Sequence, residues 1–133
     1  MNKLIKVLLP LAVAGTTVAG ASTASAADSD YFAVSNARGG RTSGTVLWTG
    51  PQSARLRGTV ATDLDGQPAA AWVRFCQSTT SCGGWNKLAE TNSSFSYDRS
   101  FYSSNGSRFV YADIVVVEQY SQSPIDRNLN GGD

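Results

Sequence analysis

Few residues in this chain could carry chemistry. Asp63 and Asp65 flank Leu64 near a turn, and Asp113 sits inside an otherwise apolar run. Asp126, Asn128 and Asn130 alternate near the C-terminus. Cys76 and Cys82 enclose the small polar segment Gln77 to Ser81, and histidine is absent. Without imidazole, Ser-His-Asp and Cys-His catalysis and most zinc or copper sites are excluded. If the chain is oxidised, the two cysteines must pair with each other or with another chain, which removes thiolate chemistry as well. Their isolation, and the turn-like residues between them, predict an intrachain disulfide. The loop it closes is short, so loop entropy assigns it only about 2 kcal/mol of stabilisation. It reads as a lock on one turn.

What remains is carboxylate chemistry. Asp63 and Asp65, at i and i+2, would share a face of a strand, as a two-carboxylate hydrolase requires. The turn signal Asp65-Gly66 accounts for them more simply. A carboxylate inside an apolar strand needs a cationic partner, and Arg74 or Arg99 is the natural one for Asp113. The expectation is therefore a structural ion pair rather than a general acid of raised pKa. Asp126-Arg127-Asn128-Leu129-Asn130-Gly131 copies positions 1, 3, 5 and 6 of the EF-hand loop. No glutamate follows at position 12 and no helices flank it, so neither calcium at Asp126, Asn128 and Asn130 nor any other cofactor is expected.

Exposed arginine is the other feature with functional content. Arg38-Gly39-Gly40-Arg41 is a glycine-rich turn that could meet an acidic partner or a trypsin-like pocket. Arg55 and Arg57 share the solvent face of a strand, and arginine is enriched at interface hot spots. Arg38, Arg41, Arg55 and Arg57 are thus the candidate interface residues. Trp48, Trp72 and Trp85 could stack on sugars, although tryptophan in a small β domain usually serves the core. Asn92-Ser93-Ser94 and Asn105-Gly106-Ser107 match the N-glycosylation pattern, which matters only in a eukaryotic host.

The elements that must position these residues are strands. Lys3 and Lys6, the apolar run from Val7 and the Ala24-Ser25-Ala26 pattern predict a secretory signal peptide over 1–26. Its removal from 133 residues leaves 107, a size for one domain. It also takes two lysines, leaving nine basic residues against ten acidic, a net charge of −1. That balance argues against a role on nucleic acid or membrane driven by bulk charge. Period-two alternation predicts strands near Tyr31–Ser35, Gly44–Thr49, Ala54–Leu64, Ala69–Cys76, Trp85–Thr91, Phe95–Tyr102 and Arg108–Tyr120. The last, apolar on both faces, should be a central, twice-covered strand, with Phe109, Tyr111, Val115 and Val117 on one side. Asn105-Gly106 should close a hairpin. The expected fold is all-β, a small antiparallel β-sandwich or barrel of six to seven strands over 27–120, followed by a flexible C-terminal tail, 121–133, outside the sheet.

The Ala-rich leader ending in Ala24-Ser25-Ala26, the Cys76/Cys82 pair, the preference for Arg over Lys and the strand pattern together resemble small secreted β proteins of actinobacteria. In size and layout the chain is similar to the adaptor subunit of secreted umbrella toxin particles. That resemblance implies a non-catalytic protein linking a lectin subunit to a toxin-bearing chain, and it carries over no site residues. Small secreted peptidase inhibitors share the same plan. The expectation is a secreted, extracellular, non-catalytic protein-binding module whose partner is another secreted protein, with no nucleic acid and no membrane after cleavage. A peptidase inhibitor presenting Arg38 or Arg41 and a carbohydrate-binding module using tryptophan are the alternatives.

Overall fold

Alternating apolar and polar side chains force strands to bury one face and wet the other, and two sheets satisfy that demand by packing face to face. The computed structural model describes residues 29–63 and 67–130; the expected leader lies outside the described residues. The chain forms β1 (Ser29–Ser35), β2 (Arg41–Gly50), β3 (Ser53–Ala61), β4 (Ala69–Cys76), β5 (Asn86–Thr91), β6 (Ser94–Tyr102), β7 (Tyr111–Glu118), β8 (Ser121–Gln122) and β9 (Asp126–Leu129). One sheet has the order β1-β2-β3-β6. The other is β5-β4-β7, with β8 and β9 both on the free edge of β7. Every pairing is antiparallel. The all-β, sandwich-like fold is therefore as expected, with β8 and β9 added.

The core lies between the sheets. Phe32, Val46, Leu56 and Val60 from the first sheet meet Ala71, Val73, Ile114 and Val116 from the second. Gly44 and Gly58 face each other across the β2–β3 ladder. A Cβ at Gly44 would lie 2.1 Å from the Arg57 carbonyl oxygen, and one at Gly58 would lie 2.4 Å from that of Ser43. The space belongs to Tyr97, which lies opposite Gly58 on β6 and whose hydroxyl meets Thr42 Oγ1 at 2.6 Å. An aromatic ring over a strand glycine restores the packing that the glycine lacks. Burial pushes the Tyr97 phenol up to about 12, against a smaller lowering by the Thr42 hydrogen bond.

Three expectations are corrected. Residues 121–129 do not lie outside the sheet, because β8 and β9 pair with β7. Proline and asparagine read as loop in composition, yet Ser123 Oγ accepts the Val116 N–H at 3.0 Å and the Ser123 N–H donates to the Val116 carbonyl at 2.9 Å, so the segment bulges and rejoins the edge. Asn105-Gly106 does not close a hairpin, since β6 and β7 belong to different sheets. Gly106, at φ +82°, turns a connection between them instead. Phe109 precedes β7, and its ring stacks on Phe75 in the core at 4.2 Å. The β7 strand is central as expected. Its outer face is covered by neighbouring side chains rather than by a further layer.

Those packing positions separate two alanine variants. Ile114 is fully buried between the sheets, so Ile114→Ala should cost about 3 kcal/mol. Val115 lies on the outer face opposite Trp72, and its smaller side chain should make Val115→Ala the milder change. Tyr97→Phe should cost about 1 kcal/mol through loss of the Thr42 hydrogen bond. Urea denaturation midpoints measure all three, and unchanged midpoints would contradict these placements.

Candidate functional site

The outer face of the second sheet holds a cluster of two arginines around a buried carboxylate. In the β4–β7–β9 register Arg74, Asp113 and Arg127 stand side by side. The Asp113 side chain is 0% exposed. Arg74 Nε donates to its Oδ2 at 3.0 Å, while Arg127 donates from Nε to Oδ1 at 2.7 Å and from Nη2 to Oδ2 at 2.8 Å. Arg127 also donates to the Thr79 carbonyl at 3.1 Å, and its Nη2 lies 3.7 and 3.8 Å from the sulfurs of Cys76 and Cys82. These two cysteines form the intrachain disulfide. Arg127 thus ties β9 to β7 and to the locked loop. Each cation also lies over an aromatic ring: Arg74 over Trp85 at 4.7 Å, Arg127 over Tyr111 at 4.7 Å and Lys87 over Trp72 at 5.4 Å.

Burial pushes the Asp113 carboxyl up, but hydrogen bonds from Arg127 and Arg74 outweigh it and hold the group below the usual carboxylate range. Such a group stays ionised and is held by donors from two strands, so it fixes β4 and β9 on β7. Of the two expected partners, Arg74 is in place. Arg99 sits on β6 in the other sheet, donates to the Lys87 carbonyl at 2.9 Å and lies over Phe101. Arg127 went unrecognised because the tail read as loop. Donor atoms of Cys76, Cys82 and Asp113 lie within 4.8 Å of one another. Both sulfurs are spent in the disulfide, so this trio is no ligand set for a metal.

The other described carboxylates are engaged as well. Asp63 meets Arg41 at 2.8 Å, and Asp65 lies outside the described residues. Asp98 takes two 2.7 Å hydrogen bonds from Arg55, with Arg57 at 3.6 Å. Asp30 accepts from Trp48, which is buried, Glu90 from Lys87, and Glu118 from Thr62. Asp126 accepts the Ala33 backbone N–H at 3.0 Å and so caps the edge of β1. Burial pushes its carboxyl up, the Ala33 hydrogen bond lowers it, and nearby Asp30 raises it further. Asn128 donates to the Ala112 carbonyl, and Asn130 to those of Gly50 and Phe109. The three residues of the calcium-like motif thus serve as ties between the tail and the sandwich.

The candidate interface arginines occupy two places. Arg55 and Arg57 share the outer face of β3, where Asp98 offsets part of their charge. Arg41 begins β2 and Arg38 lies in the preceding turn, at one end of the sandwich. The β7–β8 turn adjoins that end, with Asn36 donating to the Ser121 carbonyl. Its two residues, Gln119 at φ 50° and Tyr120 at φ 64°, both occupy the left-handed region. Tight hairpins reserve such positions for Asn and Gly. Tyr120 is fully exposed at the tip. Sequence reasoning missed it, because a tyrosine at the end of an apolar run reads as strand.

The Asp113 cluster generates a pH prediction. A carboxyl lowered in the fold contributes stability that is fully present above its unfolded pKa, about 3.9, and lost as pH falls through its lower folded value. Asp113→Asn should therefore flatten the acid limb of a stability–pH curve. Asp126, raised in the fold, has the opposite sign, so Asp126→Asn should steepen that limb. Arg127→Leu leaves the buried carboxylate short of a partner and should cost on the order of 3 kcal/mol at neutral pH. Denaturant melts from neutral pH to about pH 2 read out all three variants. No family model matches the chain, and no curated protein or solved structure matches it either.

Proposed function

We propose that this protein is a secreted, non-catalytic protein-binding module, of the kind that serves as an adaptor between other secreted chains, and that the Arg38–Tyr120 end of the sandwich is its contact surface. The observation that carries the reading is the Gln119–Tyr120 turn. Two side chains in the left-handed region cost about 1 kcal/mol each relative to glycine. Backbone strain of that kind concentrates where a side chain must be presented. What this turn presents is a fully exposed tyrosine beside an arginine-bearing turn, the residue types that dominate interface hot spots. The engaged carboxylates support the non-catalytic part, since each of those described already accepts a hydrogen bond or ion pair from the fold.

Replacing the turn by Asn-Gly separates folding from function. The double variant Gln119→Asn, Tyr120→Gly should be more stable than the natural chain by about 1–2 kcal/mol, because strain is removed. The same variant should lose capture of secreted partners from culture medium, read by mass spectrometry, and so should Arg38→Ser. Arg55→Ser with Arg57→Ser should keep it. Capture unaffected by the turn variant would refute this surface. Inhibition of a trypsin-like peptidase by the pure protein, lost in Arg38→Ser, would favour the inhibitor reading instead.

A further inference from the structure

The opposite end of the sandwich holds a cleft of about 410 Å³, within the range of small-molecule sites. Its floor is aromatic: Phe75 stacks on Phe109 at 4.2 Å and meets Phe101 at 5.3 Å. One wall is the disulfide-locked β4–β5 loop, carrying Gln77, Ser81 and Asn86. The other is the β6–β7 connection, carrying Ser103, Asn105 and Ser107. Among the described residues, Arg108 is the only charged one in the lining.

The walls are held in place before any ligand arrives. The disulfide closes the first loop, Gln77 bridges to Ser107 Oγ at 2.9 Å, and Gln52 donates to the Gly106 carbonyl at 2.7 Å. A preformed site avoids the ordering cost of binding. Four backbone amides of the cleft walls are already used. Gly83 donates to Phe75, Ser103 to Gln52, Phe109 to Pro51 and Gln77 to Ser81. With those amides engaged, recognition at the two loop walls falls to their side chains. What the cleft offers is apolar ring surface below and side-chain hydroxyls and amides around it. The complementary ligand has an apolar face and a hydroxyl rim, and it carries no cation.

We propose that this cleft is a binding site for a neutral saccharide of one or two rings, separate from the Arg38–Tyr120 surface. The C–H face of a pyranose would rest on the Phe floor, with its hydroxyls exchanging hydrogen bonds with the Ser, Asn and Gln side chains of the walls.

Gly84 provides the test. It lines the cleft, and a Cβ built there meets nothing within 4 Å, so Gly84→Phe should fold normally and obstruct the mouth. Amide NMR spectra of the secreted protein should be titrated with methyl glucoside, maltose, cellobiose and diacetylchitobiose. The expected result is saturable shifts at residues 77–86 and 103–109 with at least one of them. Gly84→Phe should weaken that binding by about tenfold or more with an unchanged melting temperature. Ser81→Phe, at an exposed wall position, should do the same and guards against a folding defect at Gly84. No saturable shift with any of the four saccharides would overturn the proposal. So would shifts confined to the Trp72 and Trp85 face, or binding that both variants leave intact. An acetylated and amidated Gly-Phe-Gly peptide that shifts these amides where the saccharides do not would reassign the cleft to protein ligands.

Discussion

A carboxylate with no exposure to solvent can stay ionised only if its desolvation is matched by well-placed donors, and at Asp113 two guanidiniums from different strands supply them. That requirement organises the second sheet. Arg74 comes from β4 and Arg127 from β9, so the charge is satisfied only when both strands are in register on β7. A slip by one residue would turn either guanidinium to the opposite face and leave the carboxylate short of a partner. Arg127 extends the same constraint to the disulfide loop through Thr79 and the two sulfurs. The cluster defines one arrangement of four chain segments, and its value lies in that specification more than in net stability.

The first sheet is governed by sterics rather than charge. The facing glycines, Gly44 and Gly58, let backbone and the Tyr97 ring approach to distances that any side chain would prevent. Tyr97 then reaches across to Thr42 and closes the sheet against the core. One sheet is pinned by charge and the other by close packing, and the turns between strands lie at the two ends. One end carries the arginine turn and the strained Gln119–Tyr120 tip. The other carries two braced loops over an aromatic floor. Loops held on a packed β scaffold are where a protein's exposed chemistry is usually placed.

The candidate site was legible only in part. Arg55 and Arg57 are placed on one solvent face by period-two alternation alone, and they are found there. Their charge is offset by Asp98, which lies 41 positions beyond Arg57 and opposite it on β6, a pairing that no local pattern encodes. Tyr120 was invisible for a related reason. Its composition suits a strand, and only the registration of β8 on β7 leaves it at the tip of a two-residue turn.

The amino-acid sequence by itself determined the seven segments that became β1 to β7, the shared solvent face of Arg55 and Arg57, and the exclusion of imidazole chemistry. Those properties follow from residue type and from the two-residue period of an extended chain, both of which are local. Tertiary structure alone decided that 121–129 joins the second sheet, that Arg127 rather than Arg99 completes the Asp113 pair, and that Asn105-Gly106 bridges two sheets. It also placed Phe75, Phe101 and Phe109 at the floor of one cleft. Each of these depends on which strands become neighbours. That choice is set by the combined burial of apolar faces and buried charge across the whole chain, and no window of sequence contains it.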